Sequence, residues 1–175
     1  MMKINSTRYI AFGGVIAALY VVLTYVANML GLASGAIQIR ISEALTIMPV
    51  LTAAAVPGVT IGCLLANILT ARPLWDVVLG TLATLIGAVG TRLLKKKPSV
   101  AWIPPVLSNA AIVPIVLMFC IPEDPIRSVE IFGHSFTGNA LWPMLAITVG
   151  TGEMISCGVL GLALYHGLKR TKIQF

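Results

Sequence analysis

Three of the six acidic residues in this chain, Glu43, Asp76 and Glu153, sit inside or at the edge of long apolar runs. A carboxylate in such a place has to be neutralised, paired or supplied with donors. Even modest scales put the cost of an acid at the bilayer centre at about 2.5–3.5 kcal/mol. Glu153 is the costliest, roughly 16 Å along a helix from Trp142, with no Lys or Arg at comparable depth in its run. It is either protonated and bonded to a neighbouring helix, or met by a donor-rich or cationic ligand. Asn109, in another apolar run, falls at a similar depth, and Asn67 lies about one turn from the end of its own run. Each amide can bond between helices or hold a ligand. Arg40 and Glu43, three residues apart, form either an ion pair at a loop–helix junction or part of a site, and Ser42 beside them can cap the helix. Trp75, next to Asp76, reads as an interfacial aromatic or as a stacking surface. Trp102 and Trp142 read as interfacial.

Six apolar runs must position these residues, over about 9–30, 43–55, 59–71, 74–94, 100–121 and 140–168. A helix needs about 20 apolar residues to cross the hydrocarbon core, and the first, fourth, fifth and sixth runs meet that length. The second, interrupted by Pro49, and the third, set off by Val56-Pro57-Gly58, are short. Short helices are tolerated in a membrane where they pack against longer ones and line a cavity. Lys3 and Arg8 precede the first run and Ala33-Ser34-Gly35 follows it, as in a signal peptide. Its apolar stretch exceeds the roughly 7–15 residues of a signal core, so it reads as a retained span. Residues 122–139, with Glu123, Asp124 and Glu130, are long enough for a cap or a hairpin. Cys63, Cys120 and Cys157, without CxxC spacing, read as small hydrophobes.

Hydrophobic residues make up 58% of the 175, charged residues 10%, and the mean hydropathy is +0.95. A soluble domain carries about a quarter charged residues, so a soluble enzyme, a disordered chain and a nucleic-acid binder are excluded, despite a pI of 9.6. With six spans both termini lie on one side. That side then holds Lys3, Arg8, Arg92, Lys95, Lys96, Lys97, Lys169, Arg170 and Lys172, and no acid; the other holds Arg40, Arg72 and Arg127. The positive-inside bias makes the first side cytoplasmic. The expected fold is all-α: a single domain over residues 1–175, polytopic in the plasma membrane of a prokaryote, with six transmembrane helices and both termini cytoplasmic.

On this topology Arg40, Glu43, Asn67 and Asp76 stand at the outer ends of their spans, with Asn109 and Glu153 as a floor below them. The pattern describes a pocket opening outward. Small residues form a second pattern. Gly13, Gly14, Ala17 and Ala18 make overlapping small-xxx-small pairs on the first span, read as a partner-docking face. Gly80, Ala83, Gly87 and Gly90 share a face with Asp76 and read as tight internal packing. No GxxxxGK[ST] phosphate loop occurs, so ATP hydrolysis is not expected of this chain. His134 and His166 are far apart and make no metal constellation. No catalytic residue, metal or cofactor is assigned.

The segments IQIRISEALT (37–46), PGVTIGCLLANIL (57–69), LWDVVLGTLATLIGA (74–88), PPVLSNAAIV (104–113) and VGTGEMISCGVLG (149–161) resemble the QueT family. The resemblance runs from about Arg8 to Leu168, although Gly13 and Gly14 partly replace the alanines usual in the first span. It implies the substrate-binding S component of an energy-coupling factor (ECF) transporter, six helices, and a transmembrane T component with two cytosolic ATPases as partners. The implied ligand is a queuosine precursor: a 7-deazaguanine in its 7-cyano or 7-aminomethyl form, or queuine. The five segments contain Arg40, Glu43, Asn67, Asp76, Asn109 and Glu153. A guanine-like edge presents N–H donors that suit Glu153 and a carbonyl that suits Asn109. Glu43 or Asp76 would meet an aminomethyl cation, and Trp75 would stack on the ring. Two other readings stay open: a stand-alone proton-coupled transporter of a small polar solute with Glu153 as the proton site, and a non-transporting assembly subunit.

Overall fold

The computed structural model describes residues 6–32, 38–70, 72–120, 128–131 and 133–171. Lys3, Ala33-Ser34-Gly35, Glu123, Asp124, Arg127 and Lys172 lie outside the described residues, as does the side chain of Cys120. Helix α1 (Ser6–Met29) has 24 residues and no Pro, and its length of about 36 Å exceeds a hydrocarbon core of about 30 Å. A 3₁₀ helix, Ile41–Val50, follows, then α2 (Ala55–Leu69), α3 (Leu74–Leu93), α4 (Ile103–Ile115), α5 (Leu141–Glu153) and α6 (Gly161–Arg170). A π-helical turn, Val116–Cys120, extends α4. Pro114 has no N–H to give to the preceding turn, which is a common cause of such local unwinding. A second π segment, Met154–Leu160, joins α5 to α6, so Gly138–Arg170 is one helical stretch of 33 residues. Among the described residues, four helices are long and apolar enough to cross a membrane: Ser6–Met29, Leu74–Leu93, Pro98–Met118 and Gly138–Arg170.

The two short runs become the 3₁₀ helix and α2, but the break between them is displaced. It falls at residues 51–54, and Val56-Pro57-Gly58 forms the first turn of α2 instead of interrupting the chain. A proline there costs no helical hydrogen bond, because the first N–H groups of a helix have no intrahelical acceptor. The Thr52 hydroxyl accepts from the Ala54 N–H in the break. A 3₁₀ helix rises about 2.0 Å per residue, so ten residues reach about 20 Å where an α-helix would reach about 15 Å. From Ser42 to Val50 this segment is buried throughout, among α1, α2, α3, α6 and the π segment. It is the central pillar of the molecule.

The chain is not purely helical. Strands β1 (Ser128–Ile131) and β2 (His134–Thr137) form an antiparallel hairpin with Ser128 opposite Thr137, and Gly133 takes φ +79° in its turn. The hairpin packs on α5.

Close helix approaches are made by glycine. A Cβ on Gly62 would lie 2.6 Å from the Tyr20 Cβ and 3.0 Å from Ala17, and one on Gly58 would lie 2.9 Å from the Gly13 carbonyl. Gly13 and Ala17 therefore face α2 inside the molecule, whereas Gly14 and Ala18 are exposed. The four-residue docking face expected on the first span is thus split: one pair is occupied within the chain and the other is free. Gly87 admits Pro105 of α4, with a virtual Cβ 2.6 Å from its Cα.

Charge is sorted by end. Tyr9 donates to the Ala53 carbonyl (3.2 Å), Arg92 to Pro49 (2.9 Å) and Thr91 to Ala101 (2.8 Å), while Tyr165 packs with Val50 and Ala101. These contacts gather the start of α1, the start of α4 and the ends of the 3₁₀ helix, α3 and α6. This end carries Arg8, Arg92, Lys95, Lys96, Lys97, Lys169 and Arg170 and, among the described residues, no acid.

Candidate ligand-binding site

The polar residues converge at the opposite end and in the middle of the molecule. Glu43, in the first turn of the 3₁₀ helix, is fully buried, and Glu153, the last residue of α5, is 5% exposed. Their carboxylate oxygens and the Cys157 sulfur lie within 4.8 Å of one another. The sequence reading put Glu43 at the rim and Glu153 on the floor. The fold puts them side by side, because the 3₁₀ helix descends alongside the π segment. Tyr20 of α1 donates to Glu43 Oε1. The Cys157 thiol donates to Glu153 Oε2 at 3.2 Å and to the Glu43 carbonyl at 3.5 Å. Thr46 braces the same corner, with its hydroxyl 2.6 Å from the Glu43 carbonyl. The π segment begins directly after Glu153, and π turns of this kind re-aim side chains and recur at functional sites.

Two buried groups in this region are incompletely matched. Glu43 Oε2 accepts no hydrogen bond, and Asn109 Nδ2, on α4 and turned towards the Glu153 carboxylate, makes none of full hydrogen-bond geometry. One is a vacant acceptor and the other an underused donor. Buried polar groups are nearly always bonded, and an unmatched one costs about 1–3 kcal/mol. A bound group that both donates and accepts would relieve both.

Arg40 stands just before the 3₁₀ helix and lines two clefts. One has Tyr20, Thr24, Asn28, Ser42, Asn67 and Thr70 on its walls, with Arg72 at its edge. The other is lined by Gln38, Arg40, Val113, Val149 and Glu153. Burial works against the Arg40 charge, but Asp76, Glu153 and Glu43 outweigh it and hold its pKa above the ordinary guanidinium value. Burial and the neighbouring Arg40 push Arg72 the other way, opposed by Asp76, whose Oδ2 is 3.9 Å from Arg72 Nε. Asn67 and Asp76 meet across Gly80, where a Cβ would lie 3.4 Å from the amide nitrogen and 3.5 Å from the carboxylate. The site is therefore one connected polar system, with Arg40 at its centre. The Glu43, Glu153 and Cys157 atoms could also hold a metal ion, in competition with the charge of Arg40.

A match to the QueT transporter family covers residues 10–170. The chain belongs to the QueT transporter family. This QueT family member is also similar to a curated protein, the queuosine precursor transporter QueT of Lactococcus lactis subsp. cremoris (strain MG1363). The two are 37% identical over 86 residues, 49% of this chain and 50% of the relative. The chain thus aligns with about half the length of the curated relative it matches. No solved structure matches it. Family and long apolar helices together make it a multi-pass membrane protein.

Among the residues singled out from the sequence, the fold brings Arg40, Glu43, Asn109 and Glu153 together, with Asn67 and Asp76 flanking them. Trp75 is apart: its side chain is 53% exposed and lines neither cleft. Flat walls beside Glu153 come instead from Val113 and Val149. Sequence reasoning missed Tyr20 and Thr24. The signal was present, because Tyr20, Thr24 and Asn28 recur every fourth residue and so share one face of α1, a polar stripe in an apolar helix. Thr24 donates to Ser42 Oγ at 2.9 Å, which ties Ser42 to α1 in place of the helix cap expected for it.

Proposed function

We propose that this chain is the substrate-binding S component of an ECF-type importer and takes up a queuosine precursor with a 7-deazaguanine ring. The observation that supports this most is the buried, vacant acceptor on Glu43, whose carboxylate lies within 4.8 Å of the Glu153 carboxylate. The six-membered ring of a 7-deazaguanine offers an N–H next to a carbonyl, and its exocyclic amine adds donors for Glu153. Val113 and Val149 give the ring apolar faces. Arg40 balances the carboxylates and, with Asn67 and Asp76, forms the remaining polar wall; Trp75 serves as an interfacial anchor. The name of the Lactococcus relative supports the ligand class.

In this reading the basic end faces the cytoplasm, with both termini, and the clefts face outward. A transmembrane T component and two cytosolic ATPases supply the coupling, and exposed Gly14 and Ala18 are the part of α1 open to the T component. Calorimetric titration of the purified chain with purines, deazapurines and vitamins tests the ligand class. Submicromolar binding confined to 7-deazaguanines is expected, and selective binding of an unrelated vitamin overturns the proposal. Proximity of the Glu43 and Glu153 carboxylates favours a second reading, a stand-alone proton-coupled transporter. Proton-driven uptake by liposomes containing this chain alone would establish that reading instead.

A further inference from the structure

We infer that Glu43, Glu153 and Cys157 form a site for a zinc-type divalent cation, bound through one oxygen of each carboxylate and the Cys157 thiolate. Because the ion takes up the free oxygen of Glu43, it and the proposed ligand exclude one another. Only this exclusion rests on the function proposed above; the metal site does not.

The donor atoms of the three residues lie within 4.8 Å of one another, and Cys157 Sγ is 3.2 Å from Glu153 Oε2. A tetrahedral zinc ion, with bonds of about 2.3 Å to sulfur and about 2.0–2.2 Å to oxygen, sets its ligand atoms roughly 3.5 Å apart. Small side-chain shifts therefore close the three around an ion. A sulfur donor beside the carboxylates selects zinc-type ions over magnesium and calcium, which take oxygen ligands. An independent feature points to a ligand here. Glu43 is fully buried, and its Oε2 has no hydrogen-bond partner. A carboxylate oxygen left bare at that depth calls for a cation or a donor.

Each ligand residue also has an outer partner that fixes its orientation, as metal ligands usually do. Tyr20 of α1 donates to the other oxygen of Glu43. The Thr46 hydroxyl lies 3.4 Å from Cys157 Sγ, and the Asn109 amide is turned towards Glu153. Arg40, which lines the cleft at Glu153, opposes a further cation only while Cys157 stays a thiol. Binding breaks the S–H bond: the proton passes to the buffer and the sulfur electron pair goes to the metal. The three negative charges of two carboxylates and a thiolate are then balanced by the divalent ion and Arg40. Three protein ligands leave a fourth position for water, reached through the cleft that Gln38, Val113 and Val149 line.

The test titrates the purified full chain, without any organic ligand, with Co²⁺ and then with Zn²⁺. Co²⁺ should produce a thiolate-to-cobalt charge-transfer band that saturates at a single ion per chain and is bleached by Zn²⁺. In Cys157→Ser the band should vanish, although Cys63 and Cys120 remain. Calorimetry should show Zn²⁺ affinity lowered there by more than about a hundredfold, since loss of even an outer partner of a metal ligand costs about 10–100-fold. No band in the parent chain, or a band that survives Cys157→Ser, overturns the inference. Zn²⁺ at about ten times its own Kd should weaken 7-deazaguanine binding about tenfold, as mass action requires of a competitor; undiminished binding overturns the exclusion. A saturating band in a chain that binds no 7-deazaguanine leaves the metal site standing and removes the proposed function.

Discussion

Tyr20 holds the Glu43 carboxylate by one oxygen only, and the other is buried without a donor. That asymmetry gives a specific expectation for substitution. In Glu43→Gln the amide oxygen can still accept from Tyr20, but an NH₂ group then faces the ligand's donors. Loss of a hydrogen bond to a charged acceptor costs about 1.5–3 kcal/mol, so affinity for the 7-deazaguanine should fall roughly 10–150-fold, with little change in thermal stability. Glu153→Gln should cost less, because Glu153 Oε2 is already engaged by Cys157. This ordering reverses what depth along the chain alone implies, which singles out Glu153. Titration calorimetry on both variants decides it, and a larger loss in Glu153→Gln would mean that Glu43 is a scaffold group. Asn109→Ala should weaken ligands that present a carbonyl and leave those without one nearly unaffected, which a pair of such analogues measures.

At the scale of elements, the segment carrying Arg40 is pressed against α5. A Cβ on Gly152 would collide with the Gln38 carbonyl, so only glycine lets residues 38–40 lie across the helix beside Glu153. Gly152→Ala must push this strap away and Arg40 with it. Overpacking of this kind costs about 1–3 kcal/mol, and ligand affinity should fall by at least about tenfold as the site loses its central cation. Gly14→Ala is the matched control, because nothing lies within 4 Å of the added methyl; its ligand affinity should match the parent, and its melting temperature should equal or slightly exceed it, since alanine favours a helix interior over glycine. Equal behaviour of the two variants in melting and calorimetry would show that the strap has no part in binding. Gly62→Leu should act differently again, destabilising the whole fold by wedging α2 from Tyr20 and Ala17.

For the whole molecule the sorting of charge carries the expectation. Seven cations and no described acid at one end, with the polar clefts towards the other, fit an outward-facing receptor whose basic end meets an anionic cytoplasmic leaflet. In a cysteine-free background, a cysteine at position 96 should react with a membrane-impermeant maleimide only after the cells are opened. Labelling of intact cells would invert the topology. Concentrative uptake should require ATPase partners, because no phosphate loop exists in the sequence; reconstitution with and without them measures this directly.

The membrane character, the six apolar segments and the buried polar residues were legible in the sequence, because each follows from local composition and from the cost of a charge in apolar surroundings. Arg40, Glu43, Asn109 and Glu153 stand out on those grounds before any fold is known. Their arrangement depends on tertiary structure. A periodicity argument cannot distinguish a 3₁₀ pillar from a short α-helix, and it is the packing of that pillar against the π segment that brings Glu43 beside Glu153. Nor can it foresee that Pro57 opens a helix instead of ending one, because that depends on which N–H groups already lack acceptors. The split of Gly13 and Ala17 from Gly14 and Ala18 is likewise invisible until α2 occupies one face of α1. Local sequence sets what each residue must avoid, whereas the packing of nonlocal segments decides which partner satisfies it.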